Sequence, residues 1–276
     1  MTQTNAIPHM ERDLRFYPST NTDPQHLTPA QITQFNERGY VLPLDVFAPE
    51  QAESNRTYFE HLMDLSVANG HSLYSINGWH HLCGGIWDLA MEPRILDLVE
   101  DLLGPDLICT MTHYFAKMPG DVKQVSWHQD ASYWPLTPSK VVTVWLAIDD
   151  VDDENGPMLF IPGSHLHGQI PFDKSTAEDN NVLNQSVHDP TQHGVESVAI
   201  EMKAGQLSLH SDLLLHGSEP NRSQRRRCGL TLRYHPPDVR RIEPEQAPGI
   251  ICRGSDPSGY WQPVDRPDGD NVPDKG

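Results

Sequence analysis

Apolar residues recur along this chain with two different periods, and the change falls near residue 105. Before it they stand three and four apart, the period of a helix with one buried face. After it they alternate or run in short blocks, as strands do. Thr28-Pro29 reads as a cap followed by proline at the first helical position, predicting a helix over 30–38 that Gly39 closes. The apolar, β-branched stretch 40–46 predicts a strand. Tyr58, Phe59, Leu62, Met63 and Leu65 give 48–68 a helical stripe, with Gly70 as the stop. Ile95, Leu96, Leu98, Val99, Leu102 and Leu103 do the same for 93–103, before Gly104. Three helices are therefore expected in the first 105 residues, behind an irregular N-terminal arm.

Beyond residue 105, the stretches 107–117, 141–151, 158–161, 195–202, 206–210, 213–216 and 226–234 read as strands. Turn clusters separate them, among them Pro119-Gly120-Asp121, Glu154-Asn155-Gly156-Pro157, Pro162-Gly163-Ser164 and Ala204-Gly205. Short strands at such spacing predict a sandwich or barrel, mainly β with flanking helices. The polar stretch 173–194 is long enough to be an excursion or lid. From His235 onward Pro, Asp and Gly predominate, and a tail wrapping the surface is expected. With no internal repeat, the chain reads as a single domain over 1–276: an arm at 1–26, a mostly helical buttress at 27–105, a β core at 106–236 and a tail at 237–276.

Charge narrows the partners. The 276 residues carry 20 Lys+Arg against 38 Asp+Glu, a net charge of −18, which repels phosphate backbones. No nucleic-acid partner is expected, and a polyanionic coenzyme A thioester gains no long-range help. No apolar run approaches a membrane span, and Met1 to Phe16 lacks the apolar core of an export signal. The expectation is a cytoplasmic monomer or homodimer acting on a small molecule, with no membrane partner. Cys83, Cys109, Cys228 and Cys252 form no CxxC pair, so they read as reduced thiols rather than zinc ligands.

Chemistry enters with Trp127-His128-Gln129-Asp130. Residues two apart on a strand point the same way, so His128 and Asp130 project together from a strand end. His216 is the best third partner, at the end of the apolar run Leu213-Leu214-Leu215. Two imidazoles and one carboxylate on one face of an ion leave open positions, the facial triad of non-haem Fe(II) oxygenases. His80, His81, His165, His167, His188, His193 and His210 compete as ligands, and many histidines are only surface or hydrogen-bonded residues. His165-Leu166-His167 follows a turn and reads as turn-stabilising.

Arg227 lies eleven residues beyond His216, a spacing that suits a returning hairpin. Alternation over 226–234 puts Arg227, Gly229, Thr231 and Arg233 on one face and Cys228, Leu230 and Leu232 on the other. An arginine on the polar inner face is a fork for a distal carboxylate. The competing view is a solvated basic run, Arg225-Arg226-Arg227.

In combination these signals resemble the Fe(II)- and 2-oxoglutarate-dependent oxygenases, and more closely the phytanoyl-CoA dioxygenase family. The similarity runs from Leu27 to about Pro236. It takes in the stretch 27–46, Lys117-Met118-Pro119-Gly120, the His128–Asp130 pair, 144–150, Glu154-Asn155-Gly156-Pro157, 161–165, His216-Gly217-Ser218 and 227–234. The resemblance implies a double-stranded β-helix, a cupin-like jelly roll, buttressed by the N-terminal helices. It implies that His128, Asp130 and His216 are the catalytic metal ligands for Fe(II). Arg227 then binds 2-oxoglutarate, helped by Ser218 and by Lys117 or Thr143, with Gln129 and Trp145 lining the pocket. Asn155, Gly156 and Gly163 read as turn residues. The implied reaction is hydroxylation with O2, releasing succinate and CO2, with ascorbate helpful in assay. Relatives that halogenate have a small residue in place of the carboxylate, so Asp130 argues against halogenation.

For the substrate, Tyr114, Tyr133 and Trp134, with Trp79, are candidates to stack on it or to box an ammonium group, or else are core. A small polar or cationic metabolite is expected, with an aminoalkylphosphonate such as 2-aminoethylphosphonate as the lead. An acyl-CoA, an amino acid or a natural-product intermediate are the alternatives. A metal-dependent jelly-roll isomerase and a catalytically silent binding module are the readings from other classes.

Overall fold

The computed structural model describes residue 7 and residues 11–71, 76–175, 180–242, 247–272 and 274–275. Residues 1–6 and 8–10 of the expected arm, 176–179 of the expected excursion and 243–246, 273 and 276 of the expected tail lie outside the described residues.

Helix α1, Pro29–Arg38, starts as its sequence demands. The Thr28 hydroxyl accepts from the Gln31 amide at 3.2 Å, and Gln31 Oε1 accepts from the Thr28 amide at 2.8 Å, a reciprocal capping box. Gly39 ends it at φ +87°, where a Cβ would meet the His165 ring at 2.7 Å. Helix α2 spans Pro49–Ala68, α3 Gly84–Ala90 and α4 Pro93–Leu103. Helix α3 was not among the expected three, because its first two residues are glycines. Gly85 is nonetheless required: a Cβ there would lie 2.3 Å from the Tyr58 ring.

The strands, in chain order, are β1 Tyr40–Asp45, β2 Leu107–Lys117, β3 Val125–His128, β4 Leu136–Thr137 and β5 Val142–Ala147. Then come β6 Met158–Phe160, β7 Asp173–Lys174, β8 Gln185–Ser186, β9 Val198–Ala199 and β10 Gln206–Ser211. The last are β11 His216–Ser218, β12 Arg227–His235, β13 Arg240–Arg241, β14 Ala247–Arg253 and β15 Trp261–Pro263. A seven-stranded sheet runs β1-β10-β5-β12-β2-β14-β15 and faces a four-stranded sheet, β3-β11-β6-β9. This is the mainly β jelly roll, with the helices outside.

Alternation sorts the large sheet into two faces. Tyr114, Ala116, Val144, Leu146, Cys228, Leu230 and Leu232 point outward and pack under Phe59 and Leu62 of α2 and Ile95, Leu96 and Val99 of α4. Burying each such side chain contributes roughly 1.5–3 kcal/mol, so the helices are integral to the sheet's stability. The other face turns toward the small sheet and encloses the site.

Two expectations about the elements are corrected. The tail is not mere wrapping: β14 pairs antiparallel with β2, and β15 pairs parallel with β14, so the large sheet extends past residue 237. Pro248, Gly249 and Pro263 hid that. The strand expected over 40–46 is present as β1, which pairs with β10. Leu213–Leu215 is a buried turn rather than a strand, with the Leu214 amide donating to the Ser211 carbonyl at 2.9 Å, so His216 opens its strand instead of closing one.

Candidate active site

The strand register carries two histidines to one place. In the antiparallel pair β3–β11, His128 stands directly opposite His216, and their rings lie 4.1 Å apart. Asp130 follows β3 at the start of a 3₁₀ turn, Asp130–Ser132, and not on the strand itself. Its carboxylate Oδ1 lies 3.7 Å from His128 Nε2 and 3.9 Å from His216 Nε2. The three buried side chains offer ligand atoms within 4.8 Å of one another, and among the described residues they are the cluster that does so.

Hydrogen bonding on the far side of each ring sets its tautomer. His128 Nδ1 lies 2.8 Å from the Ser126 carbonyl, and His216 Nδ1 2.9 Å from the Leu214 carbonyl. A carbonyl only accepts, so both Nδ1 atoms carry the proton and both Nε2 lone pairs face the carboxylate. Burial, with His128 close by, holds His216 well below the usual histidine range, keeping it a neutral ligand. Burial pushes the Asp130 carboxyl upward, but the Arg233 guanidinium beside it prevails and holds the group ionised, well below the usual carboxylate range. Neutral nitrogen, neutral nitrogen and carboxylate oxygen are the donor set an Fe(II) ion requires, so the residues fit that metal.

The cluster opens into a cavity of about 750 Å³ between the two sheets. At one end is Arg227, 2% exposed, directly opposite Lys117 in the β12–β2 register. Its Nε and Nη2 donate to the Gly156 carbonyl at 3.0 and 2.9 Å, which fixes the guanidinium plane. Nη2 also reaches Ser218 Oγ at 3.4 Å. Gly156 is therefore more than a turn residue: at φ +76° its would-be Cβ meets the Glu219 carbonyl at 2.7 Å, so glycine is needed to bring its own carbonyl here. Lys117 donates to the Ser218 and Glu219 carbonyls, and burial together with Arg227 lowers its pKa to about 7. Arg227, Lys117 and Ser218 form a buried cationic end that fits a carboxylate of 2-oxoglutarate. Arg225 and Arg226 face away, onto Asp152 and Asp149.

Placement of the remaining candidates divides. Trp145, Tyr133 and Trp134 line the cavity. Thr143 does not; its hydroxyl sits 3.3 Å from Asp130 Oδ2 and supports that carboxylate instead. Gln129 points away from both neighbours, donating to the Gly168 and Leu213 carbonyls and accepting from the Ile170 amide, so it braces loops and lines nothing. Tyr114 is on the outer face of β2, stacked on Phe59 with ring centroids 4.8 Å apart, because its neighbours His113 and Phe115 take the inner face. Trp79 also belongs to the outer core. The face of Trp134 is taken by the Arg233 guanidinium at 5.0 Å, which removes the ammonium box.

His210, one of the competing histidines, lines the cavity, and further cavity residues escaped the sequence reading: Asn77, Met111, His113, and Val182 with Leu183. The last two come from the 173–194 excursion. It docks along β3 through the Val182 amide to the Gln124 carbonyl at 3.0 Å and the Val187 amide to the Trp127 carbonyl at 2.8 Å. Alternation along β2 was the available signal for Met111 and His113; nothing local marked the others.

A family model described as phytanoyl-CoA dioxygenase (PhyH) matches residues 22–229 of this chain. The chain is 28% identical over 204 residues to a probable alpha-ketoglutarate-dependent hypophosphite dioxygenase of Stutzerimonas stutzeri, covering 72% of this chain and 69% of that one. It is 31% identical over 147 residues to the peroxisomal phytanoyl-CoA dioxygenase of Bos taurus, but that match spans only 43% of the bovine protein and 51% of this chain. Among solved structures, the non-heme monooxygenase ThoJ superposes with a TM-score of 0.76 at 28% identity, covering 86% of this chain and 88% of that one.

Proposed function

The chain belongs to the phytanoyl-CoA dioxygenase family and is an Fe(II)- and 2-oxoglutarate-dependent dioxygenase, and we propose that it hydroxylates an unactivated C–H bond of a small polar metabolite in the cavity between its sheets. The observation that carries this reading is that the His128–Asp130–His216 cluster and the Arg227 end open onto one enclosed space.

In this reading His128 and His216 present their Nε2 lone pairs to Fe(II), and Asp130 supplies the charged oxygen. Arg227, with Ser218 and Lys117, takes the distal carboxylate of 2-oxoglutarate. When bound, the metal and co-substrate supply the O2-dependent oxidation of the C–H bond, yielding succinate and CO2. The chain's own residues bind, orient and exclude water. The Ser126 and Leu214 carbonyls hold the imidazole tautomers, Thr143 braces the carboxylate, and Trp145 and Met158 keep the interior dry. Tyr133, His113 and Asn77, with Val182 and Leu183, frame the substrate side.

A compact substrate suits a cavity of about 750 Å³ that also holds 2-oxoglutarate. A net charge of −18 disfavours a coenzyme A thioester. The relative named as a hypophosphite dioxygenase supports a phosphorus oxyacid, with 2-aminoethylphosphonate as the lead compound. The test is succinate release with Fe(II), ascorbate and 2-oxoglutarate across aminoalkylphosphonates, amino acids and acyl-CoAs. Stimulation by a small phosphonate, abolished in Asp130→Ala, is expected. Stimulation by acyl-CoA alone would overturn the substrate class.

A further inference from the structure

Assigning Arg227 to the co-substrate leaves a second buried arginine in the same cavity whose hydrogen-bonding capacity Asp130 does not use up. Arg233 stands six residues further along β12 on the same inner face, lines the cavity and is 6% exposed. Its Nε is buried and has no hydrogen-bond partner among the described residues. Its close neighbours are Asp130, with Oδ2 3.5 Å from Nε, and the Trp134 ring, 5.0 Å from Cζ. The indole face fixes the guanidinium plane. Asp130 does not satisfy the fork: 3.5 Å is long for a charged hydrogen bond, and the same carboxylate already serves Thr143 and faces the two imidazoles. A buried guanidinium with unmade hydrogen bonds is costly, so it calls for an acceptor.

The cavity's charge points the same way. Among the described residues lining it, Asp130 is the one carboxylate, against Lys117, Arg227 and Arg233. A divalent ion and dianionic 2-oxoglutarate cancel each other. The loaded cavity therefore keeps one or two surplus positive charges, depending on whether Lys117, with its pKa near 7, holds its proton. An enclosed space of that sign rejects a purely cationic substrate and is neutralised by an anionic one.

We propose that Arg233 is a specificity-determining residue that receives an anionic group of the primary substrate, a carboxylate or a phosphonate, beside the metal; the proposal rests on the iron- and oxoglutarate-dependent reading above. Because Arg233 Nε lies 3.5 Å from Asp130, a group held there is carried next to the ion's open positions. The fork of two parallel N–H donors suits both acids, and lysine does not reproduce it.

The test uses the full chain loaded with Mn(II) and saturating 2-oxoglutarate, titrated calorimetrically with propionate, methylphosphonate and neutral propionamide. At least one acid is expected to bind about 10-fold or more tighter than the amide, and the tighter acid identifies the group. Arg233→Met should weaken that acid about 10- to 100-fold, as for a hydrogen-bonded charged group. On the Mn(II)-saturated chain it should leave the 2-oxoglutarate affinity within about 3-fold, and Arg233→Lys should recover part of the loss. Equal binding of acids and amide to the wild-type chain would overturn the proposal, and that comparison stands whatever the substitutions do to folding. So would Arg233→Met weakening 2-oxoglutarate as much as Arg227→Ala does, since Arg233 would then be a co-substrate contact. A wild-type chain that takes up neither Mn(II) nor 2-oxoglutarate would overturn the underlying reading, and this inference with it.

Discussion

The cationic end of the cavity has a definite response to pH, set by Lys117. Its pKa of about 7 lies below the ordinary lysine value because the side chain is buried and faces Arg227. Between that value and the ordinary one, the unfolded chain holds a proton that the folded chain has lost. This residue's contribution to stability therefore rises with pH across that window. Binding has the opposite sign, because a dianion favours the protonated amine. The 2-oxoglutarate Kd should rise from about pH 7 to about pH 9, and Lys117→Met should bind more weakly below pH 7 and flatten the profile. Calorimetry across that range checks it; an unchanged slope in Lys117→Met would separate the amine from the co-substrate. Nearby, Arg226 grips Asp149 through two hydrogen bonds of 2.8 and 2.9 Å, so Arg226→Ala should cost stability and leave the 2-oxoglutarate Kd unchanged. A raised Kd in that variant would place the fork one residue earlier. The ligand-type residues were legible because imidazole, carboxylate and guanidinium at such spacing have few other uses. Tyr114 and Gln129 were misread for one reason: each sits between two residues that do face the site, and strand alternation sends it the other way. Arg233 was visible on the inner face, but its significance depends on Trp134 and Asp130, about 100 positions away in sequence.

The turn that presents Asp130 is held from outside by the N-terminal arm. Arg12 Nη1 donates to the carbonyls of Ala131 at 2.8 Å and Trp134 at 2.6 Å, gripping the turn at both ends. Asp13 continues the strap, its amide donating to Thr137 Oγ1 and its carbonyl accepting from the Ser139 amide, each at 2.9 Å. Arg12→Ala should therefore lower stability by about 2 kcal/mol, the loss of charge-assisted hydrogen bonds. It should also weaken metal binding several-fold through a looser Asp130. Denaturant melts and Mn(II) titration measure the two effects, and unchanged metal affinity would make the arm a stabilising strap alone. Elements were legible where pattern and cap agreed, as at α1 and α4. They were obscured where glycine and proline served packing, as at Gly85 in α3 and Pro248 and Gly249 in β14. The apolar run 213–215 imitated a strand because a fully buried turn is equally apolar.

At the scale of the whole molecule, a chain of net charge −18 encloses a cavity with a positive lining. The outer field repels 2-oxoglutarate while the inner one holds it. Screening falls mainly on the outer field, whose effect extends over about a Debye length of 10 Å. The association rate for 2-oxoglutarate should accordingly rise from low to physiological salt, with a smaller change in the dissociation rate. Stopped-flow binding to the Mn(II)-loaded chain measures both, and an association rate that falls with salt would mean the cavity mouth, not the surface, governs encounter. No described helix is long and apolar enough to cross a membrane.

The most direct measurement of the central claim is a calorimetric titration of Mn(II), then 2-oxoglutarate, into the wild-type chain, His216→Ala and Arg227→Ala. The wild-type chain should bind one Mn(II) and then one 2-oxoglutarate. His216→Ala should lose the metal, and with it the co-substrate. Arg227→Ala should keep the metal and bind 2-oxoglutarate about 100-fold or more weakly, as a buried carboxylate left unpaired costs about 3–5 kcal/mol. Undiminished metal binding in His216→Ala, or undiminished 2-oxoglutarate binding in Arg227→Ala, would contradict the account.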